Sequence, residues 1–136
     1  MRAAARVQWR ESEAGIVPTL PAHPDLEVVW APQPGSQERF LSCPVTEVLF
    51  EGNRGGGKTL CLLMDFAQHV GQGFGAAWRG ILFRREFTQL RDAIDKAIEW
   101  FPRLWPAATY NRSEHYWTWP SGEKLFFAQM EREDDY

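Results

Sequence analysis

The chain is poor in cysteine, has no long apolar run and carries little net charge, and each shortage removes a class of function. Its two cysteines, Cys43 and Cys61, sit far apart and make no C-x-x-C pair. A thiolate metal site and a disulfide framework are therefore both disfavoured, and both residues read as buried thiols. No apolar stretch approaches the ~18 residues of a membrane span, so no membrane association is expected. The opening residues, "MRAAARVQWRESEAG", are basic, but no apolar segment follows them as a secretory signal requires. The expected setting is cytosolic. A formal charge of −3 argues against coating nucleic acid by bulk charge and leaves a local basic patch open.

Rings are abundant instead. Seven tryptophans and nine phenylalanines among 136 residues imply a core or interface rich in aromatic side chains. A chain of this length is one domain or most of one, and buries roughly two thirds of the surface its unfolded form exposes.

Five of the nine prolines fall before residue 35, in "IVPTLPAHPDLEVVWAPQP". Proline fixes φ and lacks a donor, so residues 1–34 read as a proline-rich N-terminal arm. The domain proper is expected over 35–136. "GSQERFLSCP" suggests a short helix or turn closed by Pro44, and "TEVLFEG" an apolar strand covered on both faces. In "KTLCLLMDFAQHVGQG" the period becomes helical, with Leu63, Phe66, Ala67 and Val70 on one face and Gly71 and Gly73 as the stop. "RGILFRR" predicts a second strand. "EFTQLRDAIDKAIEWFP" predicts a helix with Leu90, Ile94, Ala97, Ile98 and Phe101 on one face, ended by Pro102. "EHYWTWPSGEKLFFAQM" carries a hairpin signal around "PSGE". The order predicts an α/β fold: a partial parallel sheet of the P-loop NTPase kind, with flanking helices and a β-hairpin.

Between the first predicted strand and the helix lies "EGNRGGGKT". The pattern G-x-x-x-x-G-K-[ST] is met by Gly52, Gly57, Lys58 and Thr59, in the strand–loop–helix context that a phosphate loop needs. Without Cβ atoms, Gly55, Gly56 and Gly57 can curl so that successive N–H groups face one cluster of oxygens. The helix start adds unpaired N–H groups and a partial positive charge. Lys58 is expected on the β- and γ-phosphates, and the Thr59 hydroxyl on a bridging Mg²⁺. A plain glycine turn would leave Lys58 as a cation at the positive end of a helix, which is unfavourable. The candidate nucleotide-binding set is thus Gly52, Asn53, Arg54, Gly55, Gly56, Gly57, Lys58, Thr59 and Leu60, for ATP with Mg²⁺.

From about Pro32 onward the chain resembles the N-terminal part of the ATPase domain of the large terminase subunit of tailed bacteriophages. "PGSQERFL" is similar to the segment ahead of the loop, where a glutamine contacts adenine; that role would fall on Gln37. "GNRGGGKT" resembles the family's loop, with Arg54 where an arginine commonly stands. "ILFRREFTQLRDAI" and "YNRSEHYWTWPSGEKLFF" resemble the strand, arginine pair and helix that follow, and then the aromatic hairpin. The resemblance implies an ATP-driven motor that moves double-stranded DNA into a procapsid. In that family the motor is a homo-oligomeric ring on the portal protein, served by a small terminase subunit in the bacterial host cytoplasm. A separate C-terminal nuclease domain cuts the DNA. The family's apolar strand ending in Asp-Glu has no counterpart in these 136 residues: "LFFAQMERE" lacks both residues in place, and "EREDDY" has no strand ahead of it. The reading is of a fragment without the Walker B strand and nuclease, expected to bind ATP and hydrolyse it very poorly.

Other residues keep two readings each. Arg54 is either a solvated loop residue or a catalytic γ-phosphate contact beside Lys58. Gln37 either caps a turn or reads adenine with its donor and acceptor together. Arg84 and Arg85 either pair with Glu86 or a helix, or meet phosphate or DNA at the carboxyl end of a strand. Trp117 and Trp119 alternate onto one face and are expected to pack on the sheet rather than stack on bases. His23, His69 and His115 share no metal-ligand spacing; His69 is placed to meet the carbonyls of a helix end. Asp92, Asp95 and Glu99 with Arg91 and Lys96 read as a solvated helix face. The alternatives for the whole chain are another P-loop NTPase, helicase-like or a small-molecule kinase, and a truncated nucleotide-binding module without turnover.

Overall fold

The computed structural model describes residues 29–52 and 57–130, and the backbone of residues 8–12 and 15–19. It divides into two compact units, Met1–Asp65 and Phe66–Tyr136.

In the first unit, β1 (Gln8–Ser12) pairs antiparallel with β2 (Gly15–Thr19), Gln8 opposite Thr19 and Ser12 opposite Gly15. These two strands lie inside the stretch read as an arm. Pro18 sits within β2, which a two-stranded ribbon tolerates because each strand has a free edge. Helix α1 (Ser36–Leu41) starts where Gly35 turns with φ +98° and gives its N–H to Glu38 Oε2 at 3.2 Å. Ser42 closes it: both its N–H (3.0 Å) and its hydroxyl (2.7 Å) donate to Glu38 O. Helix α2 (Lys58–Ala67) begins directly after the glycine loop.

The strand expected over "TEVLFEG" does not form. Residues 47–52 carry no regular structure, and Val48 and Leu49 are 44% and 84% exposed. Apolar and β-branched residues favour a strand only where a ladder partner and a covering layer exist, and no described residue pairs with this segment. Phe50 instead stacks on Phe40 of α1, ring centroids 4.8 Å apart. Cys43 corrects a second expectation: it is exposed, in the turn its N–H makes with Phe40 O. Cys61 is buried as expected.

The second unit holds a four-stranded mixed sheet in the order β3–β6–β5–β4, from β3 (Arg79–Arg84), β4 (Thr109–Asn111), β5 (Tyr116–Thr118) and β6 (Lys124–Gln129). β3 and β6 are parallel, with Leu82 opposite Phe127; the other two pairings are antiparallel. The α/β expectation holds at that level, with parallel pairing confined to one strand pair among the described residues. Helix α3 (Phe87–Leu104) buries Leu90, Ala93, Ala97 and Phe101. That stripe differs from the expected one: Ile98 is 40% exposed and Ala93 takes a buried place. Two alanines in the stripe let the backbone approach its neighbours closely. Nor does Pro102 end the helix. It occupies the last turn, where its missing N–H deprives only the Ile98 carbonyl on the exposed side, and Trp105 N–H closes on Phe101 O at 2.7 Å.

Rings fill this unit as the composition foretold. Phe101, fully buried, meets Trp117 and Trp119 edge-to-face at 5.2 and 5.3 Å. Both tryptophans are 3% exposed, as expected for packing on the sheet, and their indole N–H groups meet no acceptor among the described residues. Each lies nearly perpendicular to a neighbouring ring, Trp117 to Phe101 and Trp119 to Trp105. Phe66 stacks on Trp78, whose indole N–H donates to Phe66 O at 3.0 Å. The ring of Phe66 lies over Gly80, where a Cβ would come within 2.6 Å of Cδ2. A strand-interior glycine is costly, and here it makes room for that ring.

Glu123 is the one fully buried charge among the described residues. Its carboxylate accepts the Gly71 N–H (3.0 Å) and the Ser121 hydroxyl, while Trp119 N–H donates to its carbonyl (3.2 Å). Burial alone would push its pKa up. The Ser121 hydroxyl, the Gly71 amide and its own amide outweigh burial and hold it below the usual glutamate range. This carboxylate ties the loop after α2 to the β5–β6 hairpin.

No helix among the described residues is long and apolar enough to cross a membrane.

Candidate nucleotide-binding loop

Asn53, Arg54, Gly55 and Gly56 lie outside the described residues, so the loop is seen from its two ends. Those ends meet. Lys58 Nζ donates to the carbonyl of Gly52, six residues earlier, at 2.7 Å. The first helical bond of α2 runs from Cys61 N–H to Gly57 O at 2.9 Å. Amides ahead of it, Thr59 and Leu60 among them, therefore have no carbonyl of the helix to meet. The start of α2 thus combines an ammonium, first-turn amides and the Thr59 hydroxyl, all partly accessible.

Gly57 is required for two reasons. Its φ is +73°, a conformation side chains rarely adopt, and a Cβ there would lie 2.4 Å from Gln37 Nε2. Gln37, at the start of α1, is itself only 4% exposed. Its Oε1 accepts the Gln33 N–H at 2.9 Å, and its backbone carbonyl faces Cys61 Sγ at 4.0 Å. The sequence placed Gln37 near the nucleotide through resemblance; the structure places it against the last glycine of the loop. That contact spans twenty residues of chain and left no trace in any periodicity.

Cys61, one turn into α2, is fully buried. Burial first, and the nearby Asp65 carboxylate second, push its thiol up to about 12, so it is chemically inert near neutral pH. His69 does not use its ring on a helix carbonyl; the ring packs edge-on against Trp78 at 4.6 Å. Arg84 donates from Nη1 to the adjacent Phe83 carbonyl at 2.9 Å. Glu86 accepts from the Thr88 hydroxyl (3.3 Å) and pairs with neither arginine. On the solvated face of α3, Lys96 pairs with Asp92 and Arg103 with Glu99. Among the described residues no three His, Cys, Asp or Glu side chains come together as a metal site.

Comparison of the chain with protein-family models, with curated proteins and with solved structures gave no match.

Proposed function

We propose that this chain binds Mg-ATP at residues 52–60 and is the nucleotide-binding portion of a DNA-packaging motor of the large-terminase kind. One observation carries the nucleotide reading: Lys58 closes back on Gly52 at the point where the glycine segment opens into α2. A loop closed on its own lysine has the cation already standing at its mouth. A polyphosphate then offers Lys58 anionic oxygens in place of a neutral carbonyl, and charge-assisted bonds are roughly twice as strong.

The donor set suits the group. Gly57 presents no Cβ to an incoming phosphate, and the first-turn amides supply donors at the positive end of the helix dipole. Mg²⁺ needs few protein ligands because it keeps waters and takes substrate phosphates, so the Thr59 hydroxyl suffices. When bound, that ion neutralises charge shared between the β- and γ-phosphates. Arg54, in the same loop, is the candidate for a γ-phosphate contact.

The packaging assignment rests on the ordered series of segments that resemble the terminase ATPase: "PGSQERFL", the loop, "ILFRREFTQLRDAI" and the aromatic hairpin. These segments form α1, the start of α2, β3 with α3, and β5 with β6, an order compatible with that reading. Double-stranded DNA, a portal protein, a small terminase subunit and further copies of the chain are the partners it entails.

Mg-ATP at 100 times its Kd should stabilise the chain by about 2.7 kcal/mol. Lys58→Ala should abolish that stabilisation. With only these 136 residues, ATP should bind without phosphate release. Phosphoryl transfer to an added nucleotide or small alcohol would contradict the packaging reading in favour of a kinase.

A further inference from the structure

We infer that Gln37 is a positioning residue for the phosphate loop, fixing Gly57 and so setting where Lys58 and Thr59 begin the helix. The inference rests on the nucleotide reading and assigns Gln37 a task other than reading the base.

Three contacts define the brace. The Gln33 amide holds Oε1 at 2.9 Å, which fixes the carboxamide plane. Nε2 lies against Gly57, so close that a side chain at position 57 could not share the space. The backbone carbonyl of Gln37 faces Cys61 Sγ at 4.0 Å, one turn beyond Lys58. One residue of α1 thus touches the loop just before Lys58 and the helix just after Thr59. At 4% exposure its amide is turned into the protein, with the oxygen engaged and the nitrogen packed on backbone. Reading adenine would require donor and acceptor to face the base together, and here the acceptor is already engaged by the Gln33 amide. The placement of Gly57 and of the first turn of α2 therefore depends on Gln37 before any ligand arrives, and every ligand held by its phosphates should feel its loss equally.

The test compares Mg-ATP, Mg-GTP and tripolyphosphate on the unmutated chain, Gln37→Ala and Gln37→Met, the last keeping the side chain's length without its polar ends. Hydrogen exchange at the Lys58–Cys61 amides is followed in the unliganded proteins. The brace predicts that each variant loses affinity for all three ligands by one common factor, about tenfold for the lost Gln33–Gln37 hydrogen bond and the carboxamide it orients. It also predicts faster exchange at those amides, without ligand and with little change in melting temperature. Weakening confined to ATP would overturn the brace in favour of adenine reading. So would unaltered exchange. A lowered melting temperature with unaltered affinities would also overturn it, by reducing Gln37 to a structural residue. If the unmutated chain binds none of the ligands, the nucleotide reading fails while the exchange comparison still decides whether Gln37 orders the loop.

Discussion

Replacing Glu123 should expose how much of the second unit's stability hangs on one buried carboxylate. In Glu123→Ala, the Gly71 N–H and the Ser121 hydroxyl both lose their charged acceptor; Glu123 is fully buried, but Gly71 and Ser121 are themselves exposed, so water can reach the freed donors. Hydrogen bonds to a charged group contribute about 1.5–3 kcal/mol each, and water at the freed donors recovers part of that, so the two together predict a loss of about 2–4 kcal/mol. Glu123→Gln is milder. Its oxygen can still serve Gly71, and the Ser121 hydroxyl can turn to accept from the new amide, leaving only the charge assistance lost, about 1–2 kcal/mol. The two variants also differ from the unmutated chain in their response to acid. Because the folded pKa lies below the unfolded one, the carboxylate's contribution is fully present above the ordinary glutamate range. It disappears as pH falls through the folded value. Thermal melts recorded from neutral pH down to about pH 3 should therefore converge: Glu123→Gln is less stable at neutral pH and approaches the unmutated chain in acid. Equal melting temperatures at neutral pH, or curves that stay parallel throughout, would refute the clamp.

Three further outcomes follow from packing. Gly80→Val should destabilise by about 1–3 kcal/mol by denaturant titration, because its Cβ must displace the buried Phe66 ring. Phe101→Ala empties the point where three tryptophans meet, and should cost about 3–5 kcal/mol in the same assay while moving the near-ultraviolet dichroism of those indoles. A thiol reagent at pH 8 should modify Cys43 promptly and Cys61 only after denaturation, since one is exposed and the other buried with its pKa pushed up to about 12. Two equally fast thiols would contradict the packing around α2.

Local signals were legible where they were long or chemically strict. The helical period of residues 87–101, the "PSGE" turn and the Gly-Lys-Thr start of α2 each specify their own conformation and were read correctly. Failures came where a distant partner decides. Val48 and Leu49 have the composition of a buried strand, yet a strand needs a neighbour to pair with, and composition cannot supply one. At three residues, β4 is too short to show any alternation. Cys43 looks like a core thiol by type, but Ser42 has already closed α1 and turned the chain outward. Pro102 was read as a helix stop, whereas the last turn tolerates a missing donor on its exposed side. In the loop, motif spacing singles out Gly57 and Lys58; only the fold shows that Gln37 and Gly57 share one space.

Calorimetric titration of Mg-ATP into the unmutated chain and into Lys58→Ala tests the central claim most directly. Saturable binding near one nucleotide per chain, lost with the lysine, is the predicted result. Absence of binding to the unmutated chain, or equal binding to both, would contradict it.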